Sequence, residues 1–184
     1  NKLVLFDISE FALYKIHEEV KAFVIKKKLE IQIIEILGSV TNKDLICNIL
    51  EDYKIETIYH AAAFKHVPIL ENNVVQGIQN NVFGSYNVVT AALEYKVKNF
   101  TFISTDKAVE PTNIMGASKR IGELICQSYI EKNIDTKFSI VRFGNVLDSS
   151  GSVVPRFRQQ IKAGGPVTVT HEDVTRYFMT IPEA

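Results

Sequence analysis

The sequence predicts an α/β protein built on a doubly wound parallel sheet. Three observations predict it. Short apolar runs show little inside–outside alternation, helical stretches separate them, and a strand–helix–strand unit of about 30 residues recurs four times along the chain. Runs without alternation suit strands covered on both faces. Parallel neighbours joined through helices then require right-handed crossovers.

Leu3–Phe6, Ile31–Leu37, Thr57–Tyr59, Asn99–Ser104 and Phe138–Phe143 read as the strands. The intervening helices are read from Glu10 to Lys28, Asn42–Tyr53, Val82–Tyr95 and Asn113–Asn133. Ser9 is the expected N-cap of the first, whose Phe11, Tyr14, Ile16, Val20, Phe23 and Val24 form a broad apolar stripe. From residue 144 the rhythm breaks at Gly144, Gly151, Pro155, Gly164-Gly165 and Pro166, so no long helix is expected there. Residues 1–143 therefore read as the sheet domain and 144–184 as a loop-rich segment from its carboxyl edge, where ligands bind in this architecture.

The 184 residues suffice for roughly one domain. With 21 Lys+Arg against 21 Asp+Glu the formal net charge is zero, which argues against a general nucleic-acid binder. No apolar run approaches the ~20 residues of a membrane helix, and no signal peptide opens the chain. Cys47 and Cys126 sit in apolar settings and read as buried thiols of a cytoplasmic protein. His60, His66 and His171 have no third ligand at useful spacing, so no metal site is expected.

Three local patterns carry chemistry. The run Leu3-Val4-Leu5-Phe6 ends in Asp7, which in a dinucleotide fold accepts the adenosine ribose hydroxyls; its alternative role is to cap the next helix. Ala61-Ala62-Ala63 directly after a strand let backbone approach a ligand, although alanine runs are also good helix formers. The third pattern is the most informative. Ser104-Thr105-Asp106-Lys107 gathers hydroxyls, a carboxylate and an ammonium at a strand's carboxyl end, and Met115 lies four residues before Lys119 on the next helix, on the same face. Adjacent Asp106 and Lys107 can be an acid/base pair or a surface ion pair. No G-x-G-x-x-G turn occurs among the nine glycines.

The segments His60–Pro68, Asn80–Gly84, Ser104–Val109, Met115–Arg120, Val141–Val146 and Thr175–Met179 resemble the bacterial polysaccharide-biosynthesis nucleotide-sugar 4,6-dehydratases, extended short-chain dehydrogenase/reductases with a Rossmann-like sheet. The likeness runs over essentially the whole chain and is closest to the branch with Met where the superfamily usually has Tyr. It implies an NAD-dependent hydro-lyase, with NADP as the alternative cofactor, converting UDP-N-acetylglucosamine to a 4-keto-6-deoxy sugar nucleotide for surface glycans. The runner-up readings are a nucleotide-sugar 4-epimerase and a non-catalytic dinucleotide-binding domain.

The resemblance also implies roles. Asp106 is the acid for the C6 hydroxyl, Lys107 the C5 base, Thr105 a partner of the C4 oxygen, and Lys119 the holder of the nicotinamide ribose. Met115 cannot titrate, so the C4-hydroxyl proton falls to Thr105, to a water linked to Lys119, or to Asp106. Asp7, Ser39, Val40, Ala61, Ala62, Ala63, Lys65, Asn81 and Ser104 are the further cofactor residues; Asn145, Val153, Val154 and Arg176 are those for the UDP-sugar, with Arg176 on the diphosphate. Homo-oligomers through Val82–Tyr95 and Ile114–Asn133 are expected. The chain reads as a piece of a longer protein that lacks the first, central strand with its glycine turn. Alone it is expected to be inactive and to bind NAD poorly, and any anchor to the cytoplasmic face of the inner membrane would lie in the preceding region.

Overall fold

A computed structural model describes residues 1–130, 135–147, 152–169, 171–173 and 175–183. The chain forms two compact units, Asn1–Ile140 and Val141–Ala184.

The first unit opens with β1 (Lys2–Asp7), α1 (Glu10–Lys27) and β2 (Gln32–Leu37). The two strands pair in parallel from Lys2–Gln32 to Asp7–Leu37. Ser9 caps α1 as expected, its Oγ accepting from the Ala12 amide at 3.2 Å. Lys26 and Lys27 sit in the last turn, where the helix dipole favours cations, and Lys28 ends the helix in the left-handed region. The apolar stripe does not become core: Phe11, Tyr14, Ile16 and Phe23 are exposed and Leu13 alone of α1 is buried. The cause is width. α1 packs on β1 and β2, and two strands about 4.8 Å apart offer too narrow a floor for a broad stripe.

Next come α2 (Lys43–Tyr53), capped by Asn42, and β3 (Thr57–His60). Two short helices, α3 (Val67–Glu71) and α4 (Val74–Ile78), and a π-helical turn at Gln79–Phe83 lead into α5 (Gly84–Glu94). The helix expected from Val82 is thus preceded by a π turn, a feature frequent at functional sites. β4 (Asn99–Thr105), a 3-10 turn at Asp106–Ala108, α6 (Ile114–Ile130) and β5 (Lys137–Phe143) complete the sheet region. The expected extension of α6 to Asn133 lies outside the described residues.

β3, β4 and β5 form a second sheet in that order, β3 and β4 running parallel. In doubly wound sheets the second and third strands stand on one side of the first, and the fourth and later ones on the other. The β2–β1 and β3–β4–β5 ladders correspond to those two flanks, and no described strand joins them. Phe100 and Phe102 alternate on β4 and are fully buried with Val89, Ala91, Ala92, Val97 and Cys126, which are also fully buried. β4 therefore alternates more strongly than its apolar run suggests, because its phenylalanine face alone is sealed by helices. Phe100→Ala should lower stability by about 3–5 kcal/mol, read from denaturant midpoints.

The second unit contains β6 (Asn145–Val146), α7 (Val153–Lys162) and β7 (Phe178–Met179), with β6 and β7 parallel. α7 corrects the expectation that no long helix follows residue 144. Pro155 stands in its first turn, where a missing N–H is tolerated. The flanking glycines punctuate the helix instead of preventing it, and Gly164 and Gly165 take positive φ just beyond its end. Among the described residues no helix is long and apolar enough to cross a membrane.

Candidate functional site

The carboxyl ends of β1, β2, β3 and β4 carry the chemistry of the first unit. Asp7, Gly38, Val40, Ala62, Ala63 and Asn80 line a cleft beside β1. Gly38, Ala62 and Ala63 put nothing larger than a methyl into it, so a flat ligand can meet backbone. One Asp7 oxygen accepts from the Ser9 amide at 2.7 Å; the carboxylate thus shapes the start of α1 and also borders the cleft. Ser39, half-buried, bonds Thr41 Oγ1 at 2.8 Å, and Val40 is buried under Gly84, whose absent side chain leaves room for it.

The stretch after β3 is pinned by Asn81 in the π turn. Its side chain accepts from the Phe64 amide at 2.8 Å and donates to the Phe64 carbonyl and to Ser118 Oγ, both at 3.0 Å. Asn81 is fully buried, so what it does is hold this stretch against α6. Ala61 and Lys65 lie exposed on either side of Ala62-Ala63-Phe64. His60 is buried and bonds Ser85 Oγ at 2.9 Å. Burial, then the Lys119 charge, push it down to about 3, which keeps it neutral and makes it a structural histidine.

β4 delivers the reactive cluster. Thr105 Oγ1 donates to Asp106 Oδ1 at 2.9 Å and Lys107 Nζ donates to the same oxygen at 3.0 Å. The 3-10 turn brings all three side chains together, with Thr105 Oγ1 accepting from the Lys107 amide at 3.4 Å. Partial burial works to raise the Asp106 carboxyl, but the hydrogen bonds from Lys107 and Thr105 outweigh it and hold the group below the usual carboxylate range. The resting pair is therefore carboxylate and ammonium.

α6 supplies the facing residues. Met115 and Lys119 are both buried, and the Lys119 ammonium stands 4.4 Å from the centre of the Phe102 ring. Burial pulls Lys119 down to about 8, with Cys126 and Glu123 acting the other way. Gly116 lets the helix lie against the 3-10 turn: a Cβ there would come within 2.4 Å of the Lys107 carbonyl oxygen. Sequence reasoning passed over Glu123, which is fully buried and accepts from Ser104 Oγ at 2.6 Å and Arg120 Nη1 at 2.9 Å. Its signal was spacing, since it stands four residues beyond Lys119 and hence on the same face.

The residues assigned to the UDP-sugar lie in the second unit. Asn145 Nδ2 donates to the Tyr177 carbonyl at 3.2 Å, across β6 and β7. Arg176 is exposed, with Nη1 on the Thr175 carbonyl at 2.8 Å. Val153 and Val154 open α7 instead of standing in a loop. Among the described residues no group of three or more His, Cys, Asp or Glu could hold a metal ion.

Comparison with known proteins bears on these observations. The chain is 49% identical over 183 residues to the capsular polysaccharide biosynthesis protein CapD of Staphylococcus aureus, covering all of this chain and 30% of that protein. It is 34% identical over 187 residues to a UDP-glucose 4-epimerase of Rickettsia canadensis, covering 98% and 53%. An inverting UDP-N-acetylglucosamine 4,6-dehydratase of Campylobacter jejuni is 36% identical over 150 residues, covering 80% and 43%. The structure of Pen from Bacillus thuringiensis superposes with a TM-score of 0.86 at 35% identity, covering 98% of this chain and 53% of that one. The chain spans between about a third and a half of these proteins. Over residues 1–184 it matches the family model described as polysaccharide biosynthesis protein. With that match and the parallel α/β fold, the chain belongs to the polysaccharide biosynthesis protein family.

Proposed function

We propose that this chain carries the acid–base machinery of an NAD-dependent 4,6-dehydratase acting on UDP-N-acetylglucosamine. The observation that carries the reading is the Thr105–Asp106–Lys107 cluster, with Asp106 and Lys107 sharing one short contact. NAD, when bound, supplies the acceptor for the C4 hydride and returns that hydride to C6. Asp7 at the end of β1 supports NAD over NADP, because a carboxylate repels a 2′-phosphate.

The chain's own residues then divide the proton work. Moving one proton across the 3.0 Å Lys107–Asp106 contact turns the ion pair into a neutral amine and a neutral acid. Desolvation on sugar binding favours that neutral pair. Lys107 takes the C5 proton once C4 is a ketone, and Asp106 gives its proton to the departing C6 oxygen as water. Both groups return to the charged pair; when the Lys107 ammonium then reprotonates C5 it is left a neutral amine, and the proton given up by the C4 hydroxyl on oxidation restores the pair. Thr105 Oγ1 serves the C4 oxygen, Lys119 the nicotinamide ribose, and Arg176 with Asn145 the UDP moiety. Exposed Tyr86 on α5 with Ile121 and Leu124 on α6 support pairing of two copies through these helices. The nucleotide-sugar substrate class supports a cytoplasmic reaction.

The second reading, a 4-epimerase, is favoured by the Rickettsia relative. It shares the C4 oxidation but has no leaving hydroxyl to protonate. Incubating full-length protein with UDP-N-acetylglucosamine in deuterated water separates the two. A 4-keto product carrying deuterium at C5 is the expected result; a C4 epimer with no deuterium at C5 would establish the alternative.

A further inference from the structure

We infer that Glu123 is a positioning residue, which ties the carboxyl end of β4 to α6 and so sets Lys119 and Ser104 for the nicotinamide half of the dinucleotide. The inference rests on the NAD site proposed above and goes beyond it, because no described cofactor or substrate role falls on Glu123 itself.

Two elements bring chemistry to this site from opposite sides. β4 carries Ser104 next to its last residue, Thr105, and passes directly into Asp106-Lys107, whereas Lys119 comes from α6. Glu123 touches both. Its carboxylate accepts the Ser104 hydroxyl at 2.6 Å and the Arg120 guanidinium at 2.9 Å, and its own exposure is zero. A carboxylate this deep is retained only where charged or strong donors meet it. Short charge-assisted bonds also have directional demands that apolar packing lacks. The neighbouring Gly122 allows the close approach, since a Cβ there would meet the Phe102 ring at 2.5 Å. Phe102 in turn is the ring beneath the Lys119 ammonium. Helix, strand and ammonium are thus held at one spacing by Glu123 and the Phe102–Gly122 contact together.

The charge of Glu123 acts as well as its geometry. Lys119 is deeply buried, and a neighbouring anion favours its protonated form. The other ionisable groups on elements packed against α6 are Asp106 and Lys107 in the 3-10 turn, Glu71 on α3, and Tyr86 and Glu94 on α5. Arg120, Cys126 and Tyr129 are on α6 itself, and His60 on β3 is neutral. Removing the Glu123 charge takes away a stabiliser of the ammonium, so Lys119 should lose its proton at lower pH.

The test measures NAD affinity by calorimetry from pH 6 to 10 on full-length protein, about a range that brackets a lysine of this kind, with Glu123→Gln, Glu123→Asp and Ser104→Ala. Glu123→Gln keeps the shape and loses the charge. It should bind NAD about tenfold more weakly on the alkaline side, with the alkaline fall-off displaced to lower pH. Glu123→Asp should keep the wild-type fall-off but bind more weakly throughout, because the shorter side chain keeps the charge and loses reach. A merely structural carboxylate would lower the melting temperature of all variants alike. Wild-type affinity and an unmoved fall-off in folded Glu123→Gln would overturn the inference. The readout requires no turnover, so a failure of the dehydratase reading, seen as absence of the 4-keto product, is separately visible.

Discussion

Lys107→Ala is expected to lower kcat for 4-keto product formation by about 10²–10⁴-fold, the range for loss of a general acid–base group. Exchange of the C5 proton with solvent should fall in parallel. Asp106→Asn should have an effect of similar size for a different reason: Asn can still accept a hydrogen bond from Lys107 but has no proton for the C6 oxygen. Neither change should unfold the protein. Both side chains are partly exposed, and ion pairs in that setting contribute about 1 kcal/mol or less. The acid side of the kcat/KM profile follows from Asp106, whose partners hold it below the usual carboxylate range. Above that lowered value the pair carries one shared proton and works. As pH falls through it both groups are protonated, the base is lost, and the rate drops. The acid limb should therefore lie below the range of an ordinary carboxyl group. Full turnover by both variants would remove the pair from the mechanism and leave it as a surface contact.

Gly116→Ala should be the most damaging single-methyl change in the catalytic region. The added Cβ would lie 2.4 Å from the Lys107 carbonyl oxygen and 3.2 Å from its carbonyl carbon. These are backbone atoms, and a side-chain rotation cannot relieve the contact. Either α6 moves away from the 3-10 turn or the turn itself shifts. Overpacking of this kind destabilises by about 1–3 kcal/mol. The larger loss should be in turnover, since displacement of about 1 Å at a reacting group can lower the rate about 10²-fold. The turn holds Asp106 and Lys107, whereas α6 holds Lys119, so both halves of the site are separated by one methyl. A melting curve and a kcat on the same preparation check this. Wild-type turnover in Gly116→Ala would mean that the spacing between turn and helix is not critical.

Much of the architecture was legible because it depends on local pattern. Apolar runs of three to seven residues between helical stretches located β1 to β5 to within a residue or two, and Ser9 before Glu10 marked the start of α1. The reactive cluster was legible for a related reason: Thr105, Asp106 and Lys107 are neighbours in sequence, and a strand end followed by one tight turn suffices to gather them. α7 was missed because glycines and a proline at helix ends resemble those of a loop. The short α3 and α4, and the π turn carrying Asn81, fall below the length at which periodicity speaks. The exposure of the α1 stripe was not legible, because amphipathicity reports which face is apolar, not whether a partner wide enough to cover it exists.

The sequence by itself determined the succession of strands and helices, the Thr105-Asp106-Lys107 cluster at the end of β4, and the family likeness. It did so because each depends on residues adjacent in the chain or on helical repeat. Only the tertiary structure decided that Asp106 rests as a carboxylate under Lys107 and Thr105, that His60 is a neutral core residue on Ser85, and that Glu123 joins β4 to α6. Those depend on burial and on contacts between residues 19 to 25 positions apart, or on a balance between desolvation and hydrogen bonding that no spacing rule contains.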